Sequence, residues 1–220
     1  MRQRGPRKSI HRAVLGGVAL AAVALAAPGA RAFQFDVWKS RSGVEKVLEG
    51  AKDKGMALET TGGGLFSKPS PEDLALKVEY EGKTKLMGYS AKLLFSFSPE
   101  SKVLHTLRVE MSVPRAEEEA GLDVLADTVA RQLDGKYKDR SEGGSGGILD
   151  QLTEKFSKAK HRTWRGGADV VTMESSWGLM GGTLLLVYTD EKTVEKAQAE
   201  ERRLREKRLE KSGGKDLQKF

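Results

Sequence analysis

Beyond its first 32 residues the chain carries two histidines, His105 and His161, and it has no cysteine anywhere. Two isolated histidines do not make a His-rich metal centre, and neither stands in a His-Glu-x-x-His setting. Serine nucleophiles need a base and an orienting acid beside them. The better-placed base, His105, falls by alternation on the inward face of a predicted strand, where a satisfied buried histidine is the ordinary reading. The acids Glu117, Glu118 and Glu119 are adjacent in sequence, so on a helix they point in different directions and suit a solvated helix start better than a cation site. Gly62 to Gly64 lack the lysine and the Ser/Thr that complete a phosphate cradle, and they read as a flexible connector. The residue types thus point to no cofactor and no metal. Carboxylates brought together only by the fold stay open, because spacing through space is invisible in a sequence.

The elements that would have to position any site are clearer. Tyr89, Ala91, Leu93, Phe95 and Phe97 alternate, as do Val103, Leu107, Val109, Met111 and Val113, around a reversal at Ser98 to Lys102. A period of two predicts an antiparallel hairpin with both apolar sets on one face. Leu74, Leu76, Val78 and Tyr80 predict a strand before it, turning through Glu81 to Lys85. Segments 168–175 and 183–189 predict a second hairpin. Phe33 to Trp38 predicts a short strand or arm. Ser42-Gly43-Val44-Glu45 has the spacing of a capping box and opens a helix over about 43–54, closed by Gly55. Leu122, Leu125, Val129, Leu133 and Tyr137 recur at three and four, which predicts a long helix over about 115–137 lying on the sheet. The expected fold is α+β: an about five-stranded, largely antiparallel sheet covered on one face by the long helix, with a charged C-terminal helix.

The first 32 residues are of another kind. They hold six basic residues and no acid, an uncharged run from Ala13 to Ala27, and small residues before Ala32-Phe33. That is the three-part composition of a secretory signal peptide cleaved near Ala32-Phe33, with a retained anchor helix as the alternative. The net charge of +7 falls to +1 without those residues, which removes the case for nucleic-acid binding. The expected organisation is a signal peptide over 1–32, one domain over 33–190 with a Gly-rich helical excursion at 139–167, and a charged helical tail over 191–220.

Two segments carry apolar side chains without an evident core to receive them. In the excursion, Leu152 and Phe156 lie on an amphipathic stretch accompanied by Lys155, Lys158 and Lys160. It reads either as a lid on its own domain or as a contact surface for a partner or anionic lipid. In the second hairpin, Trp177, Leu179 and Met180 sit in a Gly-rich turn. They either fold back onto the core or form an exposed tip, and exposed tips mark contact sites. These five residues are the candidate partner-binding set, with another envelope protein or the membrane surface as the partner. From Glu191 onward, pairs such as Glu201 with Arg205 lie four apart and predict a solvated helix.

The order Trp38-Lys39-Ser40, Tyr80, Gly88 before Leu-Leu-Phe-Ser-Phe, Leu104 and Leu107, Lys136-Tyr137, Trp164 and Leu-Leu-Leu-Val-Tyr resembles exported bacterial α+β domains of unknown function. Lys138-Asp139 stands where that pattern has Gly-Pro. The resemblance implies an envelope domain in the periplasm or secreted, and it transfers no catalytic residue. The sequence thus leads to an exported, non-enzymatic binding or envelope-associated module. The alternative is a small periplasmic hydrolase or isomerase working through clustered carboxylates.

Overall fold

The computed structural model describes residues 33–61, 76, 78–137, 139–142 and 160–217, with the side chains of 139–142 and 212–217 left aside. The chain enters through β1 (Gln34–Phe35) and β2 (Trp38–Lys39), a two-residue-per-arm hairpin, and continues into α1 (Val44–Asp53). The capping box expected at Ser42 and Glu45 is not formed: Gly43 is the N-cap and no side chain caps it. Ser42 is instead tied by its backbone, its carbonyl accepting the Leu104 amide at 2.8 Å, and Gly43 bridges to Val103. Gly55, at φ +67°, closes α1 as anticipated.

The sheet follows: β3 (Leu58–Thr60), β4 (Val78–Leu86), β5 (Tyr89–Phe97) and β6 (Leu104–Pro114). A single 3-10 turn at Arg115–Glu117 leads into α2 (Glu118–Lys136), followed by β7 (Asp139–Glu142), β8 (Lys160–Gly166), β9 (Asp169–Gly178), β10 (Gly181–Asp190) and α3 (Glu191–Leu217). The described strands from β3 on form one antiparallel sheet of eight in the order β3-β4-β5-β6-β10-β9-β8-β7. The fold is α+β with a large antiparallel sheet, wider than the five strands expected. Three strands escaped the sequence reading. β3 has three residues, β7 is polar, and β8 lies within the expected excursion, its inward positions including the cations Lys160 and Arg162.

Those two basic side chains are satisfied by the helix above them. Lys160 pairs with Asp123 at 2.7 Å, Arg162 with Asp127 at 3.0 Å, and the indole N–H of buried Trp164 donates to Asp134 at 2.7 Å. Acids spaced along one edge of α2 thus meet alternate residues of β8, matching a helical period to a strand period. Lys160 is therefore a strand residue beside a helix, not part of a basic amphipathic helix.

Two covers share the inner face. α2 lies over β6, β9 and β10, with Leu122, Leu125, Ala126, Val129, Ala130 and Leu133 turned down. The N-terminal segment covers β5: the Trp38 ring meets Phe95 edge-on at 5.2 Å between centroids. Phe95 is buried, as its place on the apolar face implies, and its aromatic partner is Trp38.

Three further expectations need correction. β4 does not turn at Glu81 to Lys85 but runs to Leu86, and the reversal is Met87-Gly88 with φ of +52° and +90°. Positive φ at both positions gives a two-residue turn the twist that suits a hairpin. In β6, pairing steps from Ser96↔Thr106 to Phe97↔Leu104, so a bulge lies at His105. One extra residue moves every side chain before it to the opposite face. Leu104 is therefore fully buried and His105 points away from the inner core, contrary to the alternation argument. Finally, the long helix does not begin at about 115: Pro114 ends β6 and N-caps a 3-10 turn, and α2 starts at Glu118.

Candidate functional site

The β9–β10 hairpin places the turn residues singled out in the sequence. Its strands extend further than expected, to Gly178 and from Gly181, so the connection is only Leu179-Met180. That geometry separates the three apolar residues. Trp177 is still in β9 and packs against the core; its ring lies over Gly182, its cross-strand partner, and a β-carbon at Gly182 would meet that ring at 2.7 Å. Leu179 and Met180 turn outward, 86% and 94% exposed. Of the two readings of this turn, each holds for part of it: the tryptophan folds back and the two tip residues do not. Leu152 and Phe156 lie outside the described residues.

The tip belongs to a wider rim. Met87, the exposed residue of the β4–β5 turn, is at the same end of the sheet, since Tyr89 and Gly181 both lie near the β6 end that terminates in Pro114. Strand spacing places the two turns about 14 Å apart. Between them runs the β6–α2 connection, where an Arg115 guanidinium N–H donates to the Leu179 carbonyl at 3.4 Å and the Tyr89 hydroxyl donates to Glu117 at 3.4 Å. Glu117 and Glu118 in this connection are exposed. The rim therefore joins three exposed apolar side chains by a polar, acid-bearing bridge.

A second constellation, at the opposite end of β10, was not anticipated as a unit. Asp190 has a fully buried carboxylate that accepts Arg41 Nε at 2.7 Å, Ser40 Oγ at 3.1 Å and the Thr193 amide at 3.1 Å. Burial alone would raise its pKa, but these hydrogen bonds together hold it below the ordinary value. The Thr193 bond makes Asp190 the N-cap of α3. Its cross-strand partner is Asp169, equally sealed at 1% exposure. Burial pushes the Asp169 carboxyl up to about 6, opposed by the hydrogen bond from the Phe33 amide and by the charges of Arg41 and Lys136. Both carboxyls are closed to solvent, so this pair has no room for a substrate.

Elsewhere the chemistry is sparse. Among the described residues there is no group of three or more His, Asp or Glu side chains placed to hold a metal. His105 faces Thr106 Oγ1 at 2.9 Å, and burial lowers its pKa. An open cleft of about 580 Å³ lies between the start of α1, β3 and β4, bordered by Val44, Thr60, Tyr80 and Lys102. Two carboxylates line it, Glu45 at the start of α1 and Glu79 on β4. Glu79 is bonded to Thr61 and Ser96 at 3.2 Å each, which fits a structural role. No described helix is long and apolar enough to cross a membrane.

Comparison with protein-family models, with curated proteins and with solved structures finds no match in any of the three.

Proposed function

We propose that this chain is an exported binding module that does no chemistry of its own and that docks a partner protein through the Leu179-Met180 tip. The observation that carries the reading is the exposure of two large apolar side chains on a two-residue turn whose strands are anchored in the sheet. A short turn on a rigid hairpin loses little conformational freedom when it enters a pocket, and methionine adapts its shape to what it meets. Met87 extends the apolar contact along the rim. The partner is a protein rather than an anionic lipid surface, because the β6–α2 connection beside the tip carries exposed Glu117 and Glu118 against one cation, Arg115, which is engaged with the Leu179 carbonyl, and acidic headgroups would be repelled by that excess of acid. The carboxylate-enzyme alternative gains no support from the Asp169 and Asp190 pair, which is sealed.

The test is a photo-cross-linking residue at position 179, compared with the same residue at Val124, an exposed apolar position on α2. In intact envelopes the first should capture one defined protein and the second should not. Leu179→Ser with Met180→Ser should abolish that capture and leave the Tm unchanged, since neither side chain touches the core. Equal capture from both positions, or loss of binding to anionic vesicles as the sole effect, would defeat the proposal. Trp177 is unsuitable for this test because its packing over Gly182 makes it structural.

A further inference from the structure

Phe33 is the first described residue, and it is a buried one. Its side chain is 1% exposed, its ring lies 6.0 Å from that of Tyr188, and its carbonyl accepts the Ser40 amide at 3.0 Å. Its amide N–H serves the carboxylate of Asp169. Two buried side-chain polar atoms among the described residues have no hydrogen-bond partner, Oδ1 of Asp169 and the hydroxyl of Tyr137. Both belong to this cluster, Tyr137 sensing the charges of Asp169 and Tyr188. Native proteins rarely leave such atoms unsatisfied. An ordinary peptide amide offers one hydrogen here. An amino terminus at the same nitrogen offers three, together with a positive charge.

We infer that Asp169 is the receptor for the α-ammonium group of Phe33, so that cleavage of the Ala32–Phe33 bond completes a buried ion pair and locks the N-terminal segment onto β9 and β10. The inference rests on the export reading, which supplies the cleavage. Hydrolysis of the peptide bond consumes one water, leaves the Ala32 carboxylate on the released leader and leaves Phe33 with an amine that is protonated near neutrality. The rest of the chain then makes physical sense. An isolated buried carboxylate is costly, whereas one hydrogen-bonded to an ammonium is not. The other charges around the site do not already neutralise it. Arg41 is committed to Asp190, and Lys136 donates to the Gln34 carbonyl. Asp190 adds a negative charge from β10, while Tyr188 and Tyr137 are neutral phenols whose pKa values burial raises. The segment fixed by the pair carries Trp38, which covers Phe95, so the contact reaches the core.

The experiment compares the processed protein, exported with its own leader, with a full-length chain whose cleavage is blocked by Ala30→Gln and Ala32→Gln, each with and without Asp169→Asn. Intact mass is read first. A chain retaining Met1 defeats the export reading, and a processed chain beginning elsewhere than Phe33 defeats this inference alone. In the processed chain, Asp169→Asn should lower the Tm by several degrees. In the blocked chain the same change should leave the Tm equal or raise it above pH 6, because it removes an unpaired buried charge. An equal response in both backgrounds overturns the inference. The pH profiles give an independent readout. With its pKa raised in the fold, Asp169 in the blocked chain contributes stability that is present below pH 4 and lost as pH rises through about 6. Pairing with the ammonium should abolish that loss in the processed chain, and its persistence there would also count against the ion pair.

Discussion

Asp190 shows how much one side chain can organise. Its carboxylate joins the N-terminal segment through Ser40 and Arg41 to the start of α3 through Thr193, elements about 150 residues apart in the chain. Asp190→Ala should cost about 2 kcal/mol, discounted from the 3–5 of a fully buried pair because Arg41 reaches solvent. Because the fold depresses this pKa, the stability it contributes is present above the usual aspartate range and is lost as pH falls through the depressed value. Urea unfolding of both chains at pH 7 and near pH 2.5 should therefore show a large difference at the first and a smaller one at the second. Phe95 is the apolar counterpart. It is fully buried beneath Trp38, and Phe95→Ala should cost about 3–5 kcal/mol. A loss below about 1 kcal/mol would mean that the N-terminal segment follows the truncated side chain and fills the space.

Among the elements, the β9–β10 hairpin depends on a glycine that no periodicity marks out. Gly181 has φ +122°, and a β-carbon there would collide with the Val113 carbonyl oxygen and stand 3.1 Å from the Arg115 amide nitrogen. These are backbone atoms of β6 and its exit, which cannot swing aside as a side-chain end can. Gly181→Ala should thus destabilise the domain by more than about 1 kcal/mol and loosen the tip. Hydrogen exchange should report faster opening at Thr183, with β4 and β5 unaffected. α3 divides in function along its length. Its first turns are held by Asp190 and by Glu200, which accepts the Glu100 and Ser101 amides at 2.9 and 3.1 Å and so braces the β5–β6 turn. Residues 206–211 are exposed on every side. Deleting residues 207–220 should change the unfolding free energy by less than about 0.5 kcal/mol, whereas Glu200→Ala should lower it measurably.

At the scale of the molecule, the sheet sets two opposed ends. One carries the outward Leu179-Met180 tip and Met87; the other carries the buried aspartates and the N-terminal segment. β6 and β10 lie side by side along their lengths and connect these ends, so a contact at the tip and the docking of Phe33 bear on the same pair of strands. What the sequence by itself determined was the local pattern. The central hairpin, the α2 stripe from Leu122 to Tyr137, the helix closed by Gly55 and the charged last helix each depend on neighbours within a few residues. Period, caps and i,i+4 pairs are written at that range. Only the tertiary structure decided the rest, because each remaining feature needs a partner distant in the chain. β8 counts as a strand because Asp123 and Asp127 neutralise its inward cations, and His105 faces outward because one bulge shifts the register before it. Trp177 is separated from Leu179 because β9 pairs three residues further than its composition suggests, to Gly178. The sealed Asp169 meets Phe33 only when β9 and the N-terminal segment are brought together, and that long-range burial gives an otherwise ordinary surface-type residue its raised pKa and its unsatisfied oxygen.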